Sequence, residues 1–141
     1  MLAPRRILLA DDDFEVRCGI VDLLAPMGLE ILQAESGLEV LDWLARRARD
    51  PFDLLLLDMH MPGCSGLEVL TALRARVGAA SSSGRDAIHP MVPTIFCSGR
   101  AEPELERRAI EMGAFCFLKK PVRPDHLRGE VLRALSSGRA A

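Results

Sequence analysis

Five polar residues of this chain each stand at the end of a short apolar run: Asp11 and Asp12 after "RRILLA", Asp58 after "FDLLLL", Ser98 after "VPTIFC" and Lys120 after "AFCFLK". Three carboxylates held close together repel one another and need a cation. Hard oxygen donors with room for water suit Mg2+ (or Mn2+), which is commonly held by one or two carboxylates plus a phosphate. On the other side, Lys120 offers a point positive charge and Ser98 a hydrogen bond, both suited to an anion. A cation and an ammonium flanking one carboxylate make a seat for a phosphoryl group. That carboxylate can be the nucleophile, forming an acyl phosphate. Asp58 is the candidate because it ends the central strand.

These residues need elements to hold them. Residues 5–10 read as the first strand. Asp13 is placed to cap a helix over about residues 14–27, with Val16, Ile20, Leu23 and Leu24 on one face and Gly28 closing it. Residues 29–35 read as the second strand, and "SGLE" at 36–39 is a capping box opening a helix that Asp50 and Pro51 end. Residues 52–58 are the third strand, whose four leucines predict burial on both faces. A second "SGLE" at 65–68 opens a helix to about Val77, and residues 78–91, small and polar without periodicity, predict a mobile surface loop. Residues 92–98 are the fourth strand, and Pro103 between Glu102 and Glu104 starts a helix that stops at Gly113. Residues 114–119 are the fifth strand, followed by a helix with Leu127, Val131, Leu132 and Leu135 as its apolar face. Strand and helix alternate five times, which predicts a three-layer α/β fold: a doubly wound parallel sheet with helices on both faces. Ligands of such sheets bind beyond the carboxyl ends of the strands, the edge where the five polar residues gather.

Composition fits this picture. The chain has 141 residues, 49% hydrophobic and 27% charged, with a formal net charge of −2. That suits one domain and gives no bulk charge for nucleic acid. No apolar run approaches the roughly 18 residues of a membrane span, and the N-terminus lacks the apolar stretch of a signal peptide, so the expected location is cytoplasmic. The four cysteines lack C-x-x-C spacing and read as reduced packing residues. Sixteen residues are arginine and only two are lysine, the adjacent Lys119 and Lys120 before Pro121.

The stretches "ILLADDD", "DLLLLDMHMPGCSGLEVL", "PTIFCSG" and "GAFCFLKKPV" resemble the receiver domains of two-component response regulators over about residues 5–136. The resemblance implies a flavodoxin-like sheet of strand order 2-1-3-4-5. It implies that Asp58 takes a phosphoryl group from a histidine of a sensor kinase or phosphotransfer protein. Asp11 and Asp12 would bind Mg2+, Asp12 directly and Asp11 through water, with Asp58 and the backbone carbonyl of His60 completing the set. Ser98 would move toward the phosphoryl oxygens, Lys120 would pair with them, and the Lys120–Pro121 bond would be cis. Phe117 matches the aromatic switch position, and Lys119 reads as solvated surface. The output would be a surface of the fourth helix, fifth strand and fifth helix, bound by a downstream target or a second copy of the chain. No direct contact with nucleic acid or membrane is expected, and no turnover beyond self-phosphorylation and its hydrolysis.

Three further expectations complete the reading. His60 and Arg100, two residues after Asp58 and Ser98, are expected to modulate dephosphorylation. His89 and His126 lack acidic partners at useful spacing and read as surface. The chain is expected to be a single domain over residues 1–141 with a core over about 5–136 and a frayed tail over 137–141, either standing alone or cut from a longer protein. Two other functions compete. A pseudo-receiver would keep the fold as an interaction or dimerisation module without phosphate. The D-x-D of Asp11 and Asp13 resembles the nucleophile motif of haloacid-dehalogenase-class phosphatases, which would make Asp11 the nucleophile and leave "DMHMPG" unexplained.

Overall fold

A computed structural model describes residues 3–82 and 92–137. Its elements run β1 (Arg6–Ala10), α1 (Phe14–Leu24), β2 (Glu30–Ala34), α2 (Gly37–Arg46), β3 (Leu54–Asp58), α3 (Gly66–Ser82), β4 (Thr94–Ser98), α4 (Pro103–Glu111), β5 (Cys116–Lys119) and α5 (Pro124–Ser137). The five strands form one sheet in the order β2-β1-β3-β4-β5, and every neighbouring pair is parallel. The sequence therefore folds as the flavodoxin-like α/β sheet it resembles.

Two cores explain the apolar runs. Leu8, Ala10, Leu55, Leu57 and Phe96 point to one face of the sheet, where α2, α3 and α4 pack through Val40, Leu70 and Ala109. Their neighbours Ile7, Leu9, Leu54, Leu56 and Ile95 point to the other, where α1 and α5 pack through Ile20, Leu24, Leu127 and Val131. Side chains alternate along a strand, so a strand covered on both sides must be apolar at every position. The central strand β3 is buried throughout, Asp58 included.

Helix starts follow their caps. The Asp13 carboxylate accepts from the Glu15 and Val16 amides, and Ser65 and Glu68 complete a reciprocal box, with amide-to-side-chain distances of 3.0 and 3.1 Å. Helix ends depart from the expectations. α1 stops at Leu24 and its last turn, Ala25–Met27, is a 3-10 turn, because Pro26 has no N–H for an α-helical bond. α2 stops at Arg46 rather than near Asp50. There Arg47 leaves helical geometry and its guanidinium lies 5.8 Å from the Trp43 ring centroid and 5.3 Å from that of Phe52. α3 runs to Ser82, five residues past the expected end at Val77. The alanines at 79 and 80 are the strongest helix formers, and missing apolar periodicity does not forbid helix. The rest of the expected loop, with His89, lies outside the described residues, as do residues 138–141 of the expected tail; Ser137, the expected start of that tail, is the last residue of α5. On α5 the buried face is Leu127, Val131, Ala134 and Leu135, while Leu132 is 57% exposed. Residue 132 lies five positions from 127, roughly 140° around the helix, and so faces away.

Candidate functional site

β1 lies between β2 and β3, so the chain winds outward in opposite directions from the β1–β3 pair. The crevice beyond that point is where an open α/β sheet binds ligands. Asp11 and Asp12 follow β1 and Asp58 ends β3. One carboxylate oxygen from each lies within 4.8 Å of those from the other two, with Asp11 and Asp58 buried and Asp12 exposed. The structure therefore brings together the three acids that the sequence separates.

Lys120 enters from the end of β5. Its ammonium donates to Asp11 Oδ2 at 2.6 Å and to Asp58 Oδ1 at 3.2 Å. Its amide donates to the Ser98 carbonyl at 2.8 Å, fixing the backbone next to β4, and the Lys120–Pro121 bond is cis. The second Asp11 oxygen accepts from the Asp13 amide at 2.9 Å, so both oxygens of Asp11 are engaged. Burial raises the pKa of Asp58; the Asp11 charge adds to the rise, while Lys120 and the His60 amide oppose it. Burial would lower the pKa of Lys120, but its bonds and charges with Asp11 and Asp58 outweigh burial and raise it. The ammonium is thus held charged beside a carboxylate that resists ionisation.

The remaining expected residues fall into place with differences. Ser98 stands at the same edge and is 1% exposed, but its hydroxyl faces the chain ahead, accepting from the Arg100 amide at 3.1 Å. Arg100 meets Ser98 through its backbone, and the residue is exposed. Phe117 is half-buried, its ring centroid 6.4 Å from that of Phe96. Lys119 is exposed. His126 does have an acidic neighbour, Glu130 Oε1 at 3.8 Å one helical turn on. Cys97 pairs in register with Asp58, and burial pushes its thiol up to about 12, so it is an inert packing residue. All four cysteines are free.

Three supports escaped the sequence reading. Arg17 on α1 is 5% exposed; its guanidinium donates to the Asp11 carbonyl at 2.6 Å and to Gln33 Oε1 at 3.0 Å, tying α1 to β2 and to the acidic pocket. An arginine beside Val16 and one turn before Ile20 was the available signal. Gly66 opens α3 against β3, where an added Cβ would lie 2.6 Å from the Asp58 carbonyl oxygen and 2.9 Å from Phe96. Gly37 is equally crowded by Cys64, so the glycine in each "SGLE" marks a close approach. Finally, His60 Nε2 meets Glu102 Oε1 at 2.6 Å across 42 residues; no local pattern announces it.

Comparison with known proteins adds the family. The model of the response regulator receiver domain matches residues 7–132. The chain is 33% identical over 130 residues to the DNA-binding transcriptional regulator NtrC of Escherichia coli (strain K12), covering 92% of this chain and 24% of NtrC. It is 31% identical over 134 residues to the response regulator protein PilR of Pseudomonas aeruginosa, covering 95% of this chain and 27% of PilR. It thus spans about a quarter of the length of these relatives. The crystal structure of a response regulator receiver domain protein from Clostridium thermocellum superposes with a TM-score of 0.75 at 26% identity, covering 94% of this chain and 95% of that one.

Proposed function

The chain belongs to the response regulator receiver domain family of two-component systems, and on that premise we propose that Asp58 takes a phosphoryl group from a histidine of a sensor kinase or phosphotransfer protein. The observation that carries this reading is the Lys120 ammonium bonded to Asp58 beside two further carboxylates. An Asp58 oxygen attacks phosphorus, the phosphorus–nitrogen bond of the donor breaks, and the freed imidazole takes up a proton. Lys120 already touches Asp58 Oδ1 and holds positive charge where the transferred oxygens arrive. Ser98 must turn from Arg100 to reach them.

The donor set fits Mg2+: three carboxylates and no nitrogen or sulfur side chain. Asp12 is exposed, while both oxygens of Asp11 are taken, which suits Asp12 as the direct ligand and Asp11 as one acting through water; Asp58 and the backbone carbonyl of His60 would complete the set. Bound there, the ion supplies charge neutralisation for the incoming phosphoryl oxygens. The same occupancy of Asp11 speaks against Asp11 as a phosphatase nucleophile, and the complete acid–lysine set speaks against a pseudo-receiver. We read the protein as a switch that modifies itself, not as an enzyme turning over small substrates.

The output surface lies on α4, β5 and α5. A groove of about 380 Å³ opens there, lined by Glu106, Phe117, Lys119, Arg123, His126 and Leu127. Phe117 faces both this groove and the core, so a shift of its ring on phosphorylation would reshape the surface offered to a target or second copy. Among the described residues no helix is long and apolar enough to cross a membrane, consistent with signalling in the cytoplasm. The test is intact mass after incubation with acetyl phosphate. The protein gains one phosphoryl group with Mg2+ present. Asp58→Ala, or omission of the metal, abolishes the gain.

A further inference from the structure

The contact between His60 and Glu102 joins the two loops that border Asp58 and serves no role described so far. His60 lies in the loop from β3 to α3, two residues past Asp58, and its backbone amide favours the charged form of that carboxylate, so its backbone borders the pocket. Glu102 lies in the loop from β4 to α4, four residues past Ser98. Their side chains are 36% and 35% exposed and meet at 2.6 Å, a hydrogen-bond distance between Nε2 and the carboxylate.

Two local details give the contact meaning. Glu102 occupies the N-cap position of α4, yet its side chain makes no cap hydrogen bond. A side chain at this position ordinarily stabilises the helix start, and here it reaches to His60 instead. Between the β4 end and Glu102, the Ser98 hydroxyl is held by the Arg100 backbone through both its donor and its acceptor contacts. The segment 98–102 is therefore fastened at both ends: at Ser98 to its own backbone and at Glu102 to the opposite loop.

We propose that Glu102 is a positioning residue: its bond to His60 is a clasp that holds the Ser98 loop and the first turn of α4 in the arrangement of the unphosphorylated protein. The inference rests on the phosphoacceptor reading of Asp58. Phosphorylation must draw Ser98 away from Arg100, which moves the segment whose far end Glu102 anchors. The clasp opposes that movement, and its release frees the start of α4, whose Glu106 lines the output groove. Glu102 thereby couples the pocket to the partner surface, through one bond that both states bias in opposite directions.

Beryllium trifluoride with Mg2+, a non-covalent phosphoryl mimic, provides the test by calorimetric titration. Glu102→Ala binds the mimic about three- to tenfold more tightly than the parent, in line with loss of one charge-assisted hydrogen bond at a partly exposed site. Its affinity for Mg2+ alone stays within about twofold, because Glu102 touches none of the three carboxylates. Glu102→Gln, which keeps an acceptor without the charge, falls between. In a His60→Ala background the effect of Glu102→Ala vanishes, as a direct bond requires. An unchanged affinity for the mimic in Glu102→Ala overturns the clasp, as does an equal gain in the His60→Ala background. A parent protein that binds Mg2+ but not the mimic overturns the phosphoacceptor reading itself, and the clasp with it.

Discussion

Lys120 Nζ stands 3.2 Å from Asp58 Oδ1, although 62 residues separate them in the chain. The same ammonium is 2.6 Å from Asp11, so one cation serves two buried carboxylates. A bound metal ion would draw on the charge of the same carboxylates. The lysine and the metal are therefore partners in charge balance and competitors for position.

Lys120→Met makes the competition measurable. Without the ammonium, three carboxylates face the ion unopposed, and Mg2+ binds several-fold more tightly in calorimetry. The metal-free variant loses about 2 kcal/mol of stability, since two buried carboxylates lose their countercharge. Weaker Mg2+ binding by the variant would contradict this account.

Asp58 carries a stability cost that depends on pH. Burial first, then the Asp11 charge, lift its pKa above the ordinary 3.8. The folded chain thus binds this proton more tightly than the unfolded chain, and ionised Asp58 lowers stability at neutral pH. The cost fades as pH falls from the raised folded value toward 3.8. Asp58→Asn removes it, so in metal-free buffer the variant is more stable by about 1 kcal/mol near neutrality. Thermal unfolding of both proteins between about pH 7 and pH 4 should show that advantage narrowing. A constant difference across the range would be inconsistent with it.

Gly66→Ala probes the packing of α3 on β3. The new Cβ meets the Asp58 carbonyl oxygen at 2.6 Å, and backbone cannot yield as a side-chain tip does. The expected cost is about 1–3 kcal/mol, together with slower phosphorylation because Asp58 is displaced. Chemical denaturation and the rate of labelling by acetyl phosphate are the readouts. A neutral result on both would mean that α3 is free to shift.

Arg17→Met keeps the bulk of a long side chain and removes its donors. The Asp11 carbonyl and Gln33 then lose buried partners, at a cost of about 2 kcal/mol. Mg2+ affinity should fall as well, since Asp11 loses its tether. Unaltered denaturation and metal binding would show that α1 does not support the pocket.

Much of this was written in the chain and some could not be. A parallel strand covered on both faces reads as an unbroken apolar run, so β1, β3 and β4 and the polar residues ending them stand out. The helix ends are harder. Ala79 and Ala80 prolong α3 without an apolar stripe, and Leu132 fits a loose stripe yet faces outward at 57% exposed. Asp11, Asp12, Asp58 and Lys120 were legible because strand ends converge whatever the side chains do. The turn of the Ser98 hydroxyl toward Arg100 and the reach of Glu102 to His60 depend on side-chain directions across folded loops, which no spacing encodes. Arg17 hid within an apolar helix face, where its long stem packs like its neighbours.

The central claim is that Asp58 is the atom-level acceptor. Borohydride reduces an acyl phosphate to an alcohol, turning a phosphorylated aspartate into homoserine. After incubation with acetyl phosphate and Mg2+, reduction and peptide mass mapping should place homoserine at position 58 alone. Homoserine at position 11 or 12, or none in protein shown to be folded and metal-bound, would contradict the account.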